Sequence, residues 1–252
     1  LRPEALAAAI ERARAAVPGC AIVVDLQGAK MRVGEMAERA LRAGDEVRFV
    51  PVLSEDDERS IPLPHPELFA AARAGMVLRC DDDRLRFEVR RADGGRIEAR
   101  VLGDGLLKGR KGINLVDHPV HLADLTPADL ARLEASKGFG DIAYALSFMA
   151  SGDEARWLRA RVPGASVVGK IERQEALDNL AAIDEAVDVT WICRGDLGSQ
   201  LGLSGMARAV AAIEPRRLRR PCLMAGQVFE HLTEHATPTR SEVCHLHDLL
   251  AR

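Results

Sequence analysis

Apolar and polar positions follow three different rhythms along the chain. Over residues 3–17 small apolar residues recur with a period near 3.6, and Pro18-Gly19 ends the pattern, which predicts an amphipathic helix. Ala21-Ile22-Val23-Val24-Asp25-Leu26 is a short apolar run that reaches an acid and then a glycine, the pattern of a buried parallel strand whose end enters a site. Residues 36–116 alternate instead: Val47-Arg48-Phe49-Val50, Leu85-Arg86-Phe87-Glu88-Val89 and Arg96-Ile97-Glu98-Ala99-Arg100-Val101 lie between polar turns such as Asp81-Asp82-Asp83 and Asp93-Gly94-Gly95. They predict a small antiparallel β module inserted into the chain. From residue 126 the rhythm becomes strand, helix, strand. Thr126-Pro127-Ala128-Asp129 supplies an N-cap and a first-turn proline. Apolar runs at 142–150, 166–171, 189–193 and 221–225 then alternate with amphipathic stretches at 152–161, 174–186 and 205–213. This alternation predicts a parallel α/β sheet or a (β/α) barrel, with the active site at the carboxyl ends of the strands.

The 252 residues carry 35 basic and 38 acidic side chains, a net charge of −3. That balance argues against a nucleic-acid binder held by bulk charge. No apolar run has the roughly 18 to 20 residues needed for a transmembrane helix, and residue 1 opens an amphipathic stretch rather than a signal peptide, so a cytoplasmic protein is expected. Five of the basic residues are lysines, Lys30, Lys108, Lys111, Lys137 and Lys170, which singles each of them out in an arginine-biased chain. The cysteines, Cys20, Cys80, Cys193, Cys222 and Cys244, form no CxxC pair and read as small buried hydrophobes in a reducing compartment.

Three strand ends carry polar groups that can converge. Asp25 ends the first. Lys170 and Glu172, two apart on one side of a strand, end another. Arg194-Gly195-Asp196-Leu197-Gly198 ends a third and opens a loop or helix. Carboxylates from two strands, Glu172 and Asp196, suit Mg²⁺, which takes few protein ligands and leaves room for substrate oxygens. The Gly195 and Asp196 N–H groups at a helix start suit a carboxylate or phosphate. With Lys170 beside them, the set fits a charged oxyacid whose developing charge needs neutralising.

These segments resemble the pyruvate kinase family, in the family's order. Asp25-Leu26-Gln27-Gly28-Ala29-Lys30-Met31-Arg32 is similar to D-[TL]-[KQ]-G-P-[EK]-I-R. Lys111-Gly112-Ile113-Asn114-Leu115 is similar to KG[VI]NLP, and Asp141-Ile142-Ala143 through Ser147-Phe148 to D-[FY]-[IV]-A-x-SF. Lys170 to Asn179 resembles KIENxEGxxN, Arg194 to Gly198 matches RGDLG, and Pro238-Thr239-Arg240-Ser241-Glu242-Val243 resembles PTRAEV. The resemblance implies a TIM-type (β/α) barrel over residues 1–35 and 117–252, with a small β-barrel lid at 36–116. It also implies Mg²⁺- or Mn²⁺-dependent phosphoryl transfer between phosphoenolpyruvate and ADP, giving pyruvate and ATP. Lys170 would neutralise the transferred phosphoryl group, with Asp25 supporting the site. Glu172 and Asp196 would hold the metal, and Gly195 and Asp196 the substrate carboxylate. Arg32 and Lys111 would meet the nucleotide phosphates in a cleft under the lid. Lys30 stands where potassium-dependent members carry Glu, and Leu26 where they carry a potassium-ligating Thr, so K⁺ is expected to be dispensable.

The resemblance also has departures. Gly226, in Ala225-Gly226-Gln227-Val228, occupies the position of the family's proton-donor Thr. Gln200 replaces an acid and Val116 a proline. Five strands of an eight-stranded barrel are recognisable. The first two, with the phosphate-binding R-x-N-x-S segment, and the eighth, with the C-terminal regulatory domain, are not found within residues 1–252. Flanking sequence, a partner segment or a homo-oligomeric contact is therefore expected to close the barrel. Two other readings keep the metal site: a metal-dependent lyase or decarboxylase acting on a pyruvate enolate, and a non-catalytic protein binding phosphoenolpyruvate or nucleotide. His231 and His235, four apart on an expected helix, and His245 and His247 do not make an HExxH zinc site and read as surface or packing residues. Arg216-Arg217-Leu218-Arg219-Arg220 reads as a solvated helix end.

Overall fold

The computed structural model describes residues 3–53, 58–81, 83–115, 118 and 120–251. Val116 and the middle aspartate of the 81–83 turn, Asp82, lie outside the described residues. The chain folds as two compact units, Leu1–Gly28 with Leu122–Arg252, and Ala29–His121.

The first unit opens with α1 (Pro3–Ala16) and β1 (Ile22–Leu26), and resumes with α3 (Pro127–Ser136), β10 (Ile142–Leu146), α4 (Asp153–Arg161) and β11 (Ser166–Ile171). It continues through α5 (Gln174–Asp178), α6 (Leu180–Ala186), β12 (Val189–Cys193), α7 (Arg194–Ala212), β13 (Cys222–Ala225) and α8 (Arg240–Ala251). The five strands form one all-parallel sheet in sequence order, β1-β10-β11-β12-β13. This is the strand arrangement of a (β/α) barrel. Alternation along each strand decides what faces where. In β1, Val24 and Leu26 are buried with Leu6 and Ile10 of α1, while Asp25 between them points the other way and is exposed. The same core takes in Leu133, Tyr144, Leu146, Leu158, Val167, Ile171 and Ile183, so strands and helices share one apolar layer. No described helix is long and apolar enough to cross a membrane.

The second unit holds β2 (Arg39–Leu41), β3 (Glu46–Val50), β4 (Ser60–Pro62), α2 (Pro66–Ala71), β5 (Val77–Cys80), β6 (Leu85–Ala92), β7 (Ile97–Val101), β8 (Gly105–Leu107) and β9 (Ile113–Leu115). Six strands form a sheet in the order β4-β3-β7-β6-β5-β9, and β2 pairs with β8. Its core is the inward half of the alternation read from sequence, with Phe49 edge-on to Phe87 at 5.2 Å beside Ile61, Leu78, Leu85 and Ile97. Residues 29–35 belong to this unit because the backbone of 31–33 pairs with 110–113: Val33 N–H donates to Lys111 O at 2.9 Å and Ile113 N–H to Met31 O at 3.0 Å.

The structure corrects several expectations. The β module is not purely antiparallel: β4 pairs parallel to β3, which a tight hairpin cannot produce and the longer 51–59 connection allows, and α2, which follows β4, was not foreseen. The helix expected over 174–186 is broken at Asn179, which caps α6 with non-helical angles. The helix expected over 205–213 extends back to Arg194, with a kink at Gly202. The run 142–150 stops being a strand at Leu146, where the chain turns. Cys80 and Cys193 are buried, but Cys20 and Cys244 are exposed, one after the Pro18-Gly19 turn and one on the outer side of α8. His231 lies in a single 3-10 turn (Glu230–Thr233) and His235 beyond it, and the two rings stack at 3.9 Å.

One glycine carries a testable constraint. Gly28 follows β1 with φ +54°, and a Cβ built on it would meet the Ser147 carbonyl oxygen at 2.1 Å. Its N–H donates to Asp129 Oδ2 at 2.9 Å, beside Gln27 N–H on Oδ1 at 2.8 Å. Gly28→Ala should therefore cost about 2 kcal/mol or more, from left-handed strain plus the backbone clash. Urea unfolding measures this, and a loss below about 0.5 kcal/mol would contradict the close approach.

Candidate active site at the strand ends

The carboxyl end of β11 delivers Lys170 and Glu172 to one spot. Lys170 Nζ lies 3.1 Å from Glu172 Oε1, 3.2 Å from Asp25 Oδ2 and 3.0 Å from Ser147 Oγ. Ser147 in turn donates to Asp25 Oδ1 at 3.1 Å. Asp25, two strands away from β11, thus reaches the lysine across β10. Glu172 is completely buried and Lys170 nearly so, while the Asp25 side chain is 62% exposed. Burial opposes the lysine's charge, but Glu172 and Asp25 outweigh it and hold the ammonium above the ordinary lysine range.

Glu172 has a second anchor. The Phe148 N–H donates to its Oε2 at 2.7 Å. Phe148 pays for that contact with φ +55°, a left-handed conformation uncommon for a bulky side chain. Neither Ser147 nor Phe148 had been assigned a role from sequence, although both lie in the Ser-Phe segment that carries part of the family resemblance.

Gly195 and Asp196 sit in the first turn of α7, directly after β12, the neighbour of β11. Cys193, the last residue of β12, lies between the two acids' fields. Burial raises its thiol's pKa, and Glu172 and Asp196 push the same way, so it stays protonated. The available donors are therefore hard carboxylate oxygens, Glu172 and Asp196, without a competing thiolate. That donor chemistry fits Mg²⁺ or Mn²⁺ and not a thiol-loving metal. Among the described residues, no group of three or more His, Cys, Asp or Glu is gathered in a metal-binding cluster.

Lys30, Arg32 and Lys111 belong to the second unit, where the structure brings Arg32 and Lys111 onto one backbone ladder: Arg32 pairs with Gly112. Arg32 N–H donates to His65 Nε2 at 2.8 Å, and burial lowers that imidazole's pKa. Lys111 pairs at 2.8 Å with buried Asp81, so the 81–83 turn does more than solvate a loop. The Lys30 side chain runs past Gly112.

Asp129 is the polar group that sequence reading passed over. It is fully buried and takes the N–H groups of Gln27 and Gly28 as well as the Thr126 hydroxyl at 2.7 Å. Bonds of this charged kind contribute about 1.5–3 kcal/mol each. The clue was an acid three residues after the predicted N-cap. Pro238-Thr239-Arg240-Ser241-Glu242 proves to be a capping box on α8: Glu242 accepts from Thr239 N–H at 2.8 Å, and Thr239 Oγ1 accepts from Glu242 N–H at 3.2 Å. Backbone N–H groups of His231 and Thr239 hold the Glu242 carboxyl below its ordinary range.

Residues 3–250 match the family described as pyruvate kinase, barrel domain. The chain belongs to the pyruvate kinase family. It is 33% identical over 227 residues to a pyruvate kinase of Agrobacterium vitis, covering 88% of this chain and 48% of that protein. It is 32% identical over 237 residues to pyruvate kinase II of Salmonella typhimurium, covering 88% and 49%. The chain thus spans about half the length of the curated relatives it matches. Among solved structures, the pyruvate kinase of Pyrobaculum aerophilum superposes with a TM-score of 0.76 at 27% identity, over 96% of this chain and 56% of that one.

Gly226, at the family's threonine position, has φ +85°, and its carbonyl accepts from Arg194, whose other guanidinium nitrogen lies 2.7 Å from His245 Nε2. Space is open around a Cβ there; the backbone angle is the obstacle. Gly226→Thr should therefore destabilise by about 1–3 kcal/mol rather than act as a neutral restoration. Lys170→Met should cost about 3–5 kcal/mol at neutral pH, because it leaves Glu172 buried without its cation. The native lysine's raised pKa means its contribution is fully present below about pH 10 and is lost only as pH climbs beyond the ordinary lysine value. In the variant the loss should shrink on acidification, as the orphaned carboxyl takes a proton. Chemical denaturation across pH measures both, and a small, pH-independent loss would mean that water already reaches the pair.

Proposed function

We propose that this chain performs pyruvate kinase-type phosphoryl transfer between phosphoenolpyruvate and ADP. The observation that carries the reading is the buried Lys170 ammonium, held between Glu172, Asp25 and Ser147 at the carboxyl ends of three parallel strands. Phosphoryl transfer asks a protein mainly for positioning and charge neutralisation. Lys170 stabilises the negative oxygens of the moving phosphoryl group. Asp25 and Ser147 keep its ammonium directed, and Glu172 offsets its charge before substrate arrives. The N–H groups of Gly195 and Asp196, at the positive end of α7, hold the substrate carboxylate. Glu172 and Asp196 hold Mg²⁺ or Mn²⁺, which supplies Lewis-acid charge neutralisation to the substrate oxygens. Arg32 and Lys111, on one backbone ladder of the second unit, meet the nucleotide phosphates, and Lys30 takes the place of a potassium ion.

Gly226 favours a second reading on its own account. A glycine has no hydroxyl to protonate the enolate, so the same lysine and carboxylates would also serve a lyase or decarboxylase that stabilises a pyruvate enolate.

A coupled assay separates the readings. Pyruvate should form from phosphoenolpyruvate only with ADP and Mg²⁺ or Mn²⁺, at a rate unchanged when K⁺ is replaced by tetramethylammonium. Decarboxylation of oxaloacetate with ADP inert would give the lyase reading. Absence of both, with phosphoenolpyruvate still raising the melting temperature, would leave a binding protein.

A further inference from the structure

The turn after β10 is held more tightly than its length requires. Phe148 keeps its left-handed angle, uncommon for a bulky side chain, only if the surrounding backbone is pinned. Four side chains pin it. Glu172 takes the Phe148 N–H, and Arg173 Nε donates to Met149 O at 3.2 Å. Asn179 Nδ2 donates to Ala150 O at 2.8 Å, and Glu154 accepts from Ala150 N–H at 2.6 Å and Gly152 N–H at 3.0 Å. Two consecutive residues of the β11 end, Glu172 and Arg173, thus grip two consecutive residues of the turn.

Arg173 is the unexpected member. It is 3% exposed, a rare burial for a guanidinium, and lies 3.9 Å from Glu175. The KIENxEG motif has Asn at this position, a shorter side chain without charge. Burial also lowers the arginine's pKa, against the pull of Glu175, Glu154 and Glu172. One contact of this costly group bears on the site: it holds the Met149 carbonyl, one residue after the N–H that orients Glu172 and two after the hydroxyl that orients Lys170.

We infer that Arg173 is a positioning residue, which by clamping Met149 O keeps Phe148 N–H on Glu172 and Ser147 Oγ on Lys170, and so sets the cation affinity of the site. The inference rests on the reading of Glu172 and Asp196 as the cation grip. Residues that orient metal ligands from behind typically change metal affinity by about 10- to 100-fold when lost.

The test is Mn²⁺ binding to the full chain by isothermal titration and electron paramagnetic resonance, at a temperature where circular dichroism shows each variant folded. Arg173→Met should weaken Mn²⁺ binding by about tenfold or more. Arg173→Lys should recover part of the loss, because its ammonium still reaches a carbonyl. Asn179→Ala, at an exposed position that holds the next carbonyl, should shift affinity in the same direction by less. A dissociation constant for Arg173→Met within twofold of the parent, with only the melting temperature lowered, would overturn the inference and leave Arg173 a purely structural residue. If Arg173→Met does not fold, Arg173→Lys decides: unchanged affinity overturns the inference and weakened affinity supports it. A parent chain that binds no Mn²⁺ would overturn the cation-grip reading itself, and this inference with it.

Discussion

The desolvated pair of Lys170 and Glu172 is the constraint around which the strand ends are organised. Taking two charges out of water costs several kcal/mol per ion, and mutual attraction repays it only when every remaining polar valence is met. The structure gives both ions partners. The lysine reaches Glu172, Asp25 and Ser147, and the glutamate accepts the Phe148 N–H as well. The partners come from three strand ends, so the pair is satisfied only when β1, β10 and β11 lie in register. The site and the sheet are in this sense one problem: the sheet brings the charges together, and the charges reward only that register.

The satisfaction of the pair is obtained through strained backbone. Gly28 and Phe148 both have positive φ, at the ends of adjacent strands, and Gly28 lies against the Ser147 carbonyl. Such conformations persist only when their surroundings over-determine them. Here the determinants are charged groups not seen to touch the lysine: buried Asp129 under Gln27-Gly28, and buried Arg173 with half-buried Glu154 under the 148–152 turn. Buried Asp129 and Arg173 beneath the site make its upper surface rigid. Rigidity of this kind suits a site whose proposed work is electrostatic, since preorganised charges need no reorganisation as negative charge develops on a substrate.

Much of this was legible because strand ends announce themselves. An apolar run that stops at Asp25, Lys170-Ile171-Glu172 or Arg194-Gly195-Asp196 states both the strand and the side from which its polar residues project, and β11 and β12 occupy the predicted residues. The Thr126 cap was equally clear, because capping is local chemistry. What stayed hidden depends on partners distant in sequence. Asp129 reads as an ordinary first-turn acid until Gln27 and Gly28 arrive about a hundred residues away. Arg173 reads as a solvated charge, because nothing local says that its strand end is roofed by a turn from β10. The parallel β3–β4 pair escaped for the same reason, since pairing direction follows from the path of the intervening chain and not from alternation. The exposed Cys20 and Cys244 show the converse error, in which a residue type's average burial was assigned to positions beside a turn and on a helix's outer side.

Gly226 divides the site into two parts with different histories of constraint. The electrostatic part, Asp25, Lys170, Glu172 and Asp196, retains the residues of the family motifs, and the first three are held by direct contacts. At the other part the resemblance sets Gly226 where the family has a hydroxyl, and the backbone there lies in a region that β-branched residues avoid. The Gly226 carbonyl is taken up by Arg194, the residue that opens α7 just before Gly195 and Asp196. The Gly226 loop is therefore tied to the anchoring of the helix start that the proposed substrate carboxylate would need. Under the proposed chemistry, charge neutralisation and protonation of the enolate become separable: the first keeps Lys170 with its carboxylates, and the second must draw its proton from water or from a group other than residue 226.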